Sequence, residues 1–95
     1  MTDEPTENNG KRRDRHDLVA EILKTARVGR IKTHIMYKAK LSYAQTNAYL
    51  NLLRDKGFLE TSTVIRDKQE REIYTTTEKG NAFIETIDTV NTMLQ

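Results

Sequence analysis

Side chains able to do covalent or metal chemistry are few: His16 and His34 stand alone on separate segments, and the chain has no cysteine. No thiolate nucleophile, Gly-rich phosphate loop or His/Cys cluster is present, so neither a catalytic centre nor a metal or cofactor site is expected. What the residues offer is hydrogen bonding along one segment, Ser42-Tyr43-Ala44-Gln45-Thr46-Asn47-Ala48, with Asn51 and Arg54 behind it. Ser42 and Gln45 have the S-x-x-Q spacing of a capping box, in which each side chain satisfies the other's backbone amide. Ser42 is therefore a cap and not a nucleophile, and a helix is predicted from Ser42 to Lys56, stopped by Gly57. On its wheel Thr46, Tyr49, Leu50, Leu52 and Leu53 share one side, while Tyr43, Ala44, Asn47, Ala48, Asn51 and Arg54 lie on the other. Small alanines let a helix backbone approach base edges, and Asn or Gln amides pair both donor and acceptor with adenine in a major groove.

Charge supports the same chemistry. The net charge is only +2, but Asp3, Glu4 and Glu7 make the first ten residues acidic, whereas residues 11–40 hold ten Lys or Arg against three acids. A local basic stripe in a nearly neutral protein is the electrostatic footprint of a nucleic-acid binder. Lys32, Thr33 and His34 open a predicted helix, where free amides and the helix dipole favour phosphate. Lys38 and Lys40 flank the turn before Ser42, and Arg66, Lys68 and Arg71 fall in a polar stretch further on. Phosphate contacts of this kind hold register, while base specificity falls to the Ser42 helix.

These residues need a scaffold, and the chain supplies one domain's worth of it at 95 residues. Residues 1–14 lack apolar periodicity and are expected to form a disordered tail with a basic end. The run Lys11, Arg12, Arg13, Arg15 is either an arm along a phosphate backbone or the charged lead-in to a helix. Leu18, Val19, Ile22, Leu23 and Ala26 recur at helical spacing up to Gly29. After a short link through Arg30 and Ile31, Thr33 is expected to cap a second helix that buries Ile35, Met36 and Ala39. Beyond Gly57 the segment Phe58 to Ile65 is rich in β-formers, Arg66 to Arg71 turns the chain, and Ile73 to Thr76 returns as a second strand. Thr77 then caps a last helix over residues 77–95. There Phe83, Ile87, Val90 and Leu94 form a heptad seam widened by Ile84 and Met93, which predicts a homodimer interface.

The order of helix, helix, helix, hairpin, helix is an α+β, mainly helical winged helix-turn-helix. Three helices and a β-hairpin wing occupy residues 15–76, followed by the C-terminal dimerisation helix. Arg66, Lys68 and Arg71 sit at the wing tip in this reading. The run Lys32-Thr33-His34-Ile35-Met36-Tyr37-Lys38-Ala39, then Leu41-Ser42-Tyr43, Leu50, Leu53, Lys56-Gly57 and Thr77-Glu78-Lys79-Gly80, resembles the archaeal winged helix-turn-helix transcriptional regulators related to the ten-kilodalton archaeal DNA-binding protein family. The resemblance covers nearly all of the chain after residue 15, and the K-T-x-I-M-Y-K-A block is its most specific part. It implies an archaeal, dimeric protein that binds double-stranded DNA, with the last helices pairing in an antiparallel coiled coil.

The expected function is thus sequence-specific transcriptional regulation, with the Ser42 helix in the major groove. An architectural DNA-binding protein and a winged helix used for protein contacts are the alternatives, because fold does not dictate function. No aliphatic run approaches the length of a bilayer span and no signal peptide opens the chain. The expected setting is the cytoplasm, in association with the nucleoid, with no small-molecule ligand.

Overall fold

The computed structural model describes residues 14–95. The expected tail and its basic end, Lys11 to Arg13, fall outside the described residues, except that Asp14 begins the fold. The Asp14 carboxylate accepts from the amide of Asp17 at 2.8 Å and caps α1 (Arg15–Thr25). One face of α1, carrying Leu18, Val19, Ile22 and Leu23, enters the core. A single 3-10 turn (Ala26–Val28) and Gly29 redirect the chain.

The segment expected to be a mere link is a strand, β1 (Arg30–Ile31), and it leads directly into α2 (Lys32–Ala39). The Thr33 cap is corrected accordingly: α2 starts two residues earlier, with Ile31 at the cap position and making no capping hydrogen bond. Thr33 sits in the first turn of the helix instead. Lys40 ends α2 in the left-handed region at φ 60°, and Leu41 donates back to the Met36 carbonyl at 3.1 Å.

Helix α3 (Tyr43–Asp55) begins at the predicted capping box: Ser42 Oγ accepts from the Gln45 amide at 3.1 Å, and Gln45 Oε1 accepts from the Ser42 amide at 3.0 Å. Thr46 is completely buried, with its hydroxyl donating to the Ser42 carbonyl at 2.8 Å. Its polar atom is thereby satisfied inside an apolar core. Gly57, at φ 81°, turns the chain out of α3, and Phe58 donates to the Leu53 carbonyl at 2.8 Å.

The wing differs from expectation in its length. β2 (Leu59–Arg66) and β3 (Gln69–Thr76) pair antiparallel from Leu59 opposite Thr76 to Arg66 opposite Gln69. The polar stretch Arg66 to Arg71 is therefore mostly strand, and only Asp67 and Lys68 turn, both at positive φ (53° and 65°). Two successive left-handed residues match the twist of the flanking strands. β1 adds to the other edge of β3, giving the order β1-β3-β2.

Helix α4 (Glu78–Met93) is capped by Thr77, whose Oγ1 accepts from the Gly80 amide at 3.1 Å and donates to the Gly57 carbonyl at 2.6 Å. It runs antiparallel to α1, with Arg27 donating to Asn81 at 3.0 Å, Lys24 paired to Asp88 at 3.0 Å and Asn91 donating to Asp17 at 3.4 Å. The core gathers Ile22, Leu23, Ile35, Leu50 and Ile84, all fully buried, each contributing on the order of 2 kcal/mol by leaving water. Ile84 thus belongs to the core of its own chain, which corrects its expected place in a dimer seam. No helix among the described residues is long and apolar enough to cross a membrane.

Candidate nucleic-acid interface

The amphipathic wheel of α3 holds in the fold. Thr46, Leu50 and Leu53 are buried, Tyr49 and Leu52 are partly covered, and Ser42, Tyr43, Ala44, Gln45, Ala48, Asn51 and Arg54 are exposed. Asn47 is half-buried at the edge of that face. From Tyr43 to Arg54 the helix carries no acidic residue. Not every amide on it is free, however. Gln45 spends its carbonyl oxygen on the Ser42 amide, and Asn51 Oδ1 accepts from Arg54 Nη2 at 3.4 Å, a long contact that a base edge could displace.

Cations ring this helix. Lys32, at the first position of α2, holds its Nζ over the Tyr43 ring at 5.3 Å from the centroid, which braces the exposed tyrosine at the start of α3. Thr33, His34, Lys38 and Lys40 are exposed around α2 and its turn. On the wing the structure moves two of the three predicted residues off the tip: Arg66 closes β2, Arg71 lies inside β3 opposite Val64, and only Lys68 is in the turn.

Tyr74 joins the hydrophobic core at the root of the wing. Its buried ring leaves the hydroxyl donating to Glu72 at 3.1 Å. Burial first, and then that hydrogen bond and the nearby Glu72 charge, raise its pKa above the ordinary 10.0, opposed by the charge of Arg54 on α3.

The structure also brings together residues that the sequence does not. Arg30 on β1 and His34 on α2 line a groove of about 520 Å³ with Arg66, Arg71, Val64 and Ile73 from the wing. Arg30 was missed because a two-residue strand shows no alternation, and the sole local signal was its place in the basic third of the chain. On α4, Phe83 packs on Phe58 at 5.2 Å between centroids and Ile87 is half-buried. Val90, Met93 and Leu94 are exposed, the last two at 78% and 80%.

A family model described as winged helix-turn-helix matches residues 12–95. Among solved structures, the DNA-binding protein Sso10a-2 from Sulfolobus solfataricus is similar with a TM-score of 0.72 at 25% identity, over 85% of this chain and 81% of that one. The protein smu.1704 from Streptococcus mutans shares the fold with a TM-score of 0.74 at 17% identity, over 83% and 79% of the two chains. Bacillus subtilis PadR, in complex with operator DNA, matches with a TM-score of 0.63 at 25% identity, over 73% of this chain and 45% of PadR. No match is found among curated proteins.

Proposed function

This chain belongs to the winged helix-turn-helix family, and we propose that it is a double-stranded DNA-binding transcriptional regulator that lays α3 in the major groove. The observation that carries this reading is a helix face free of acid from Tyr43 to Arg54, capped at its start and flanked by Lys32, Lys38 and Lys40. Sso10a-2 is described as DNA-binding and PadR is bound to operator DNA, and both support the same assignment. Asn47 and Asn51 read bases, with Ala44 and Ala48 permitting close approach and Tyr43 and Arg54 at the margins. Lys32, Thr33, His34, Lys38 and Lys40 bind phosphate, and Lys68 reaches out from the wing tip. Gln45 is left with only its amide donor.

The protein acts as a homodimer on the nucleoid, with Ile87, Val90, Met93 and Leu94 of α4 meeting their counterparts and Phe83 at the margin. Exposed methionine and leucine side chains at one helix end favour this reading. A two-fold pair would present two α3 helices to a pseudo-palindromic site.

The test compares binding to the protein's own upstream DNA and to random duplex over a salt series. Specific regulation requires tighter binding to the former, and joint replacement of Asn47 and Asn51 by alanine should erase the difference while leaving random-duplex binding nearly intact. Lys32→Ala should weaken both duplexes alike. Equal wild-type affinities would leave only an architectural role.

A further inference from the structure

Behind the face that carries Asn51, the C-terminal half of α3 forms one wall of a groove whose other walls come from α1 and α4. The floor is apolar. Val19 and Leu53 are buried, while Leu52, Phe58 and Phe83 are only half-buried and leave part of their surface open to a volume of about 290 Å³. The lip is basic: Arg15, His16 and Lys56 are exposed along it, and no lining residue is acidic. Among the described residues none of these three side chains is in a hydrogen bond or an ion pair. Arg15 and Leu52 also line an adjoining groove of about 250 Å³ that reaches Tyr49 and Ala48. Sequence reading expects no small-molecule ligand because these walls come from three stretches far apart in the chain.

We propose that this groove is an effector site for a small amphipathic anion, one with an apolar body and a single carboxylate head. The floor draws the body out of water, and the basic lip holds the head. A neutral apolar ligand would leave the cations without a counter-charge, and a small hydrophilic anion would leave the floor bare. The chain's own segments match less well. The first ten residues bring Asp3, Glu4 and Glu7 but only Met1 and Pro5 as apolar bulk. The exposed end of α4 brings Val90, Met93 and Leu94 but no acidic side chain after Asp88. The site itself is independent of the DNA-binding reading, and only its regulatory consequence rests on it. Leu52 and Leu53 belong to the helix that carries Asn47 and Asn51, so a body lodged between α3 and α4 biases the placement of the reading face.

The experiment titrates isotopically labelled full-length protein with octanoate and with 1-octanol, which has the same tail and no charge, and follows the backbone amides by NMR. Octanoate should shift the amides of Val19, Leu53, Phe58 and Phe83 saturably and bind about tenfold more tightly than octanol, the factor that a hydrogen bond to a charged group supplies. Lys56→Gln should close most of that gap. Arg27→Gln, which loses the same charge outside the groove, should not. Thermal melts verify that both variants are folded. Saturating octanoate should change duplex affinity by about fivefold or more, and duplex should change octanoate affinity by the same factor. Equal affinity for octanol and octanoate, shifts confined to residues 90–94, or equal losses in the two variants overturn the site. So does octanoate binding that appears only on dilution to monomer, which gives the groove to a second copy, or only after removal of residues 1–10, which gives it to that segment. Unchanged duplex affinity at saturation overturns the effector role. Protein that takes up octanoate yet binds no duplex at low salt sinks the DNA-binding reading and supports the site.

Discussion

Gly80→Ala sets two opposed effects against each other, and the structure decides which wins. In an open helix the change would stabilise by about 0.5–1 kcal/mol, because alanine has the better helix propensity. Here a Cβ would overlap the Phe58 carbonyl oxygen and stand 2.7 Å from Thr76 Cγ2. Neither neighbour yields cheaply. The Phe58 carbonyl accepts from the Thr77 amide at 3.0 Å, and buried Thr76 donates to the Leu23 carbonyl at 2.6 Å. The first turn of α4 must therefore lift, loosening Phe83 from Phe58 and Ile84 from the core. Overpacking costs about 1–3 kcal/mol, and a clash with a backbone carbonyl falls at the top of that range, so the net loss is about 2 kcal/mol, or roughly 8–16 °C in Tm for a domain of this size. Circular dichroism followed through thermal and urea unfolding measures it. A Tm equal to or above wild type refutes the argument, since propensity would then have outweighed sterics. Gly57→Ala is the control for conformation alone: space is open around it, with Lys79 Cδ at 3.6 Å, but φ is 81°, and the expected cost is about 1 kcal/mol.

Three further outcomes are expected. Lys40→Gly should raise stability by about 1 kcal/mol by relieving a left-handed lysine, yet weaken binding to all duplexes, as read by melting and titration side by side. Joint replacement of Met93 and Leu94 by serine should convert a dimer to a monomer in sedimentation equilibrium with little change in monomer stability, both side chains being exposed; a monomeric wild type would refute the α4 interface. Because folding raises the Tyr74 pKa, the unfolded chain releases that proton first, so stability is intact below about pH 10 and falls as pH climbs beyond it. Denaturant midpoints across that window should decline less in Tyr74→Phe than in wild type.

Fold elements were legible where local chemistry is self-contained. The reciprocal Ser42–Gln45 spacing, the Thr77 cap and Gly57 all announce backbone conformations that need no tertiary partner. Boundaries set by pairing were not legible. Nothing in Arg30-Ile31 alone distinguishes a linker from a strand, because the partner edge lies on β3. Asp67-Lys68 lacks the glycine that usually marks a two-residue turn, so the polar run around it read as one long loop. Ile84 read as dimer surface because apolar periodicity cannot tell which of two adjacent faces of α4 meets α1.

The site shows the same division with a sharper consequence. Residue types placed Gln45, Asn47 and Asn51 together as readers, but the capping box already occupies the Gln45 carbonyl oxygen, leaving at most two asparagines per chain for bidentate pairing. At about 1–3 kcal/mol for each good bidentate contact, one head discriminates by about 2–6 kcal/mol, and less if the half-buried Asn47 is imperfectly placed. Specific regulators separate their site from bulk DNA by about 4–10 kcal/mol. Two heads on one site reach that range where a single head falls toward its lower edge. Under the proposed function, specific recognition would therefore depend on pairing through the end of α4, where Val90, Met93 and Leu94 stand exposed, as much as on α3.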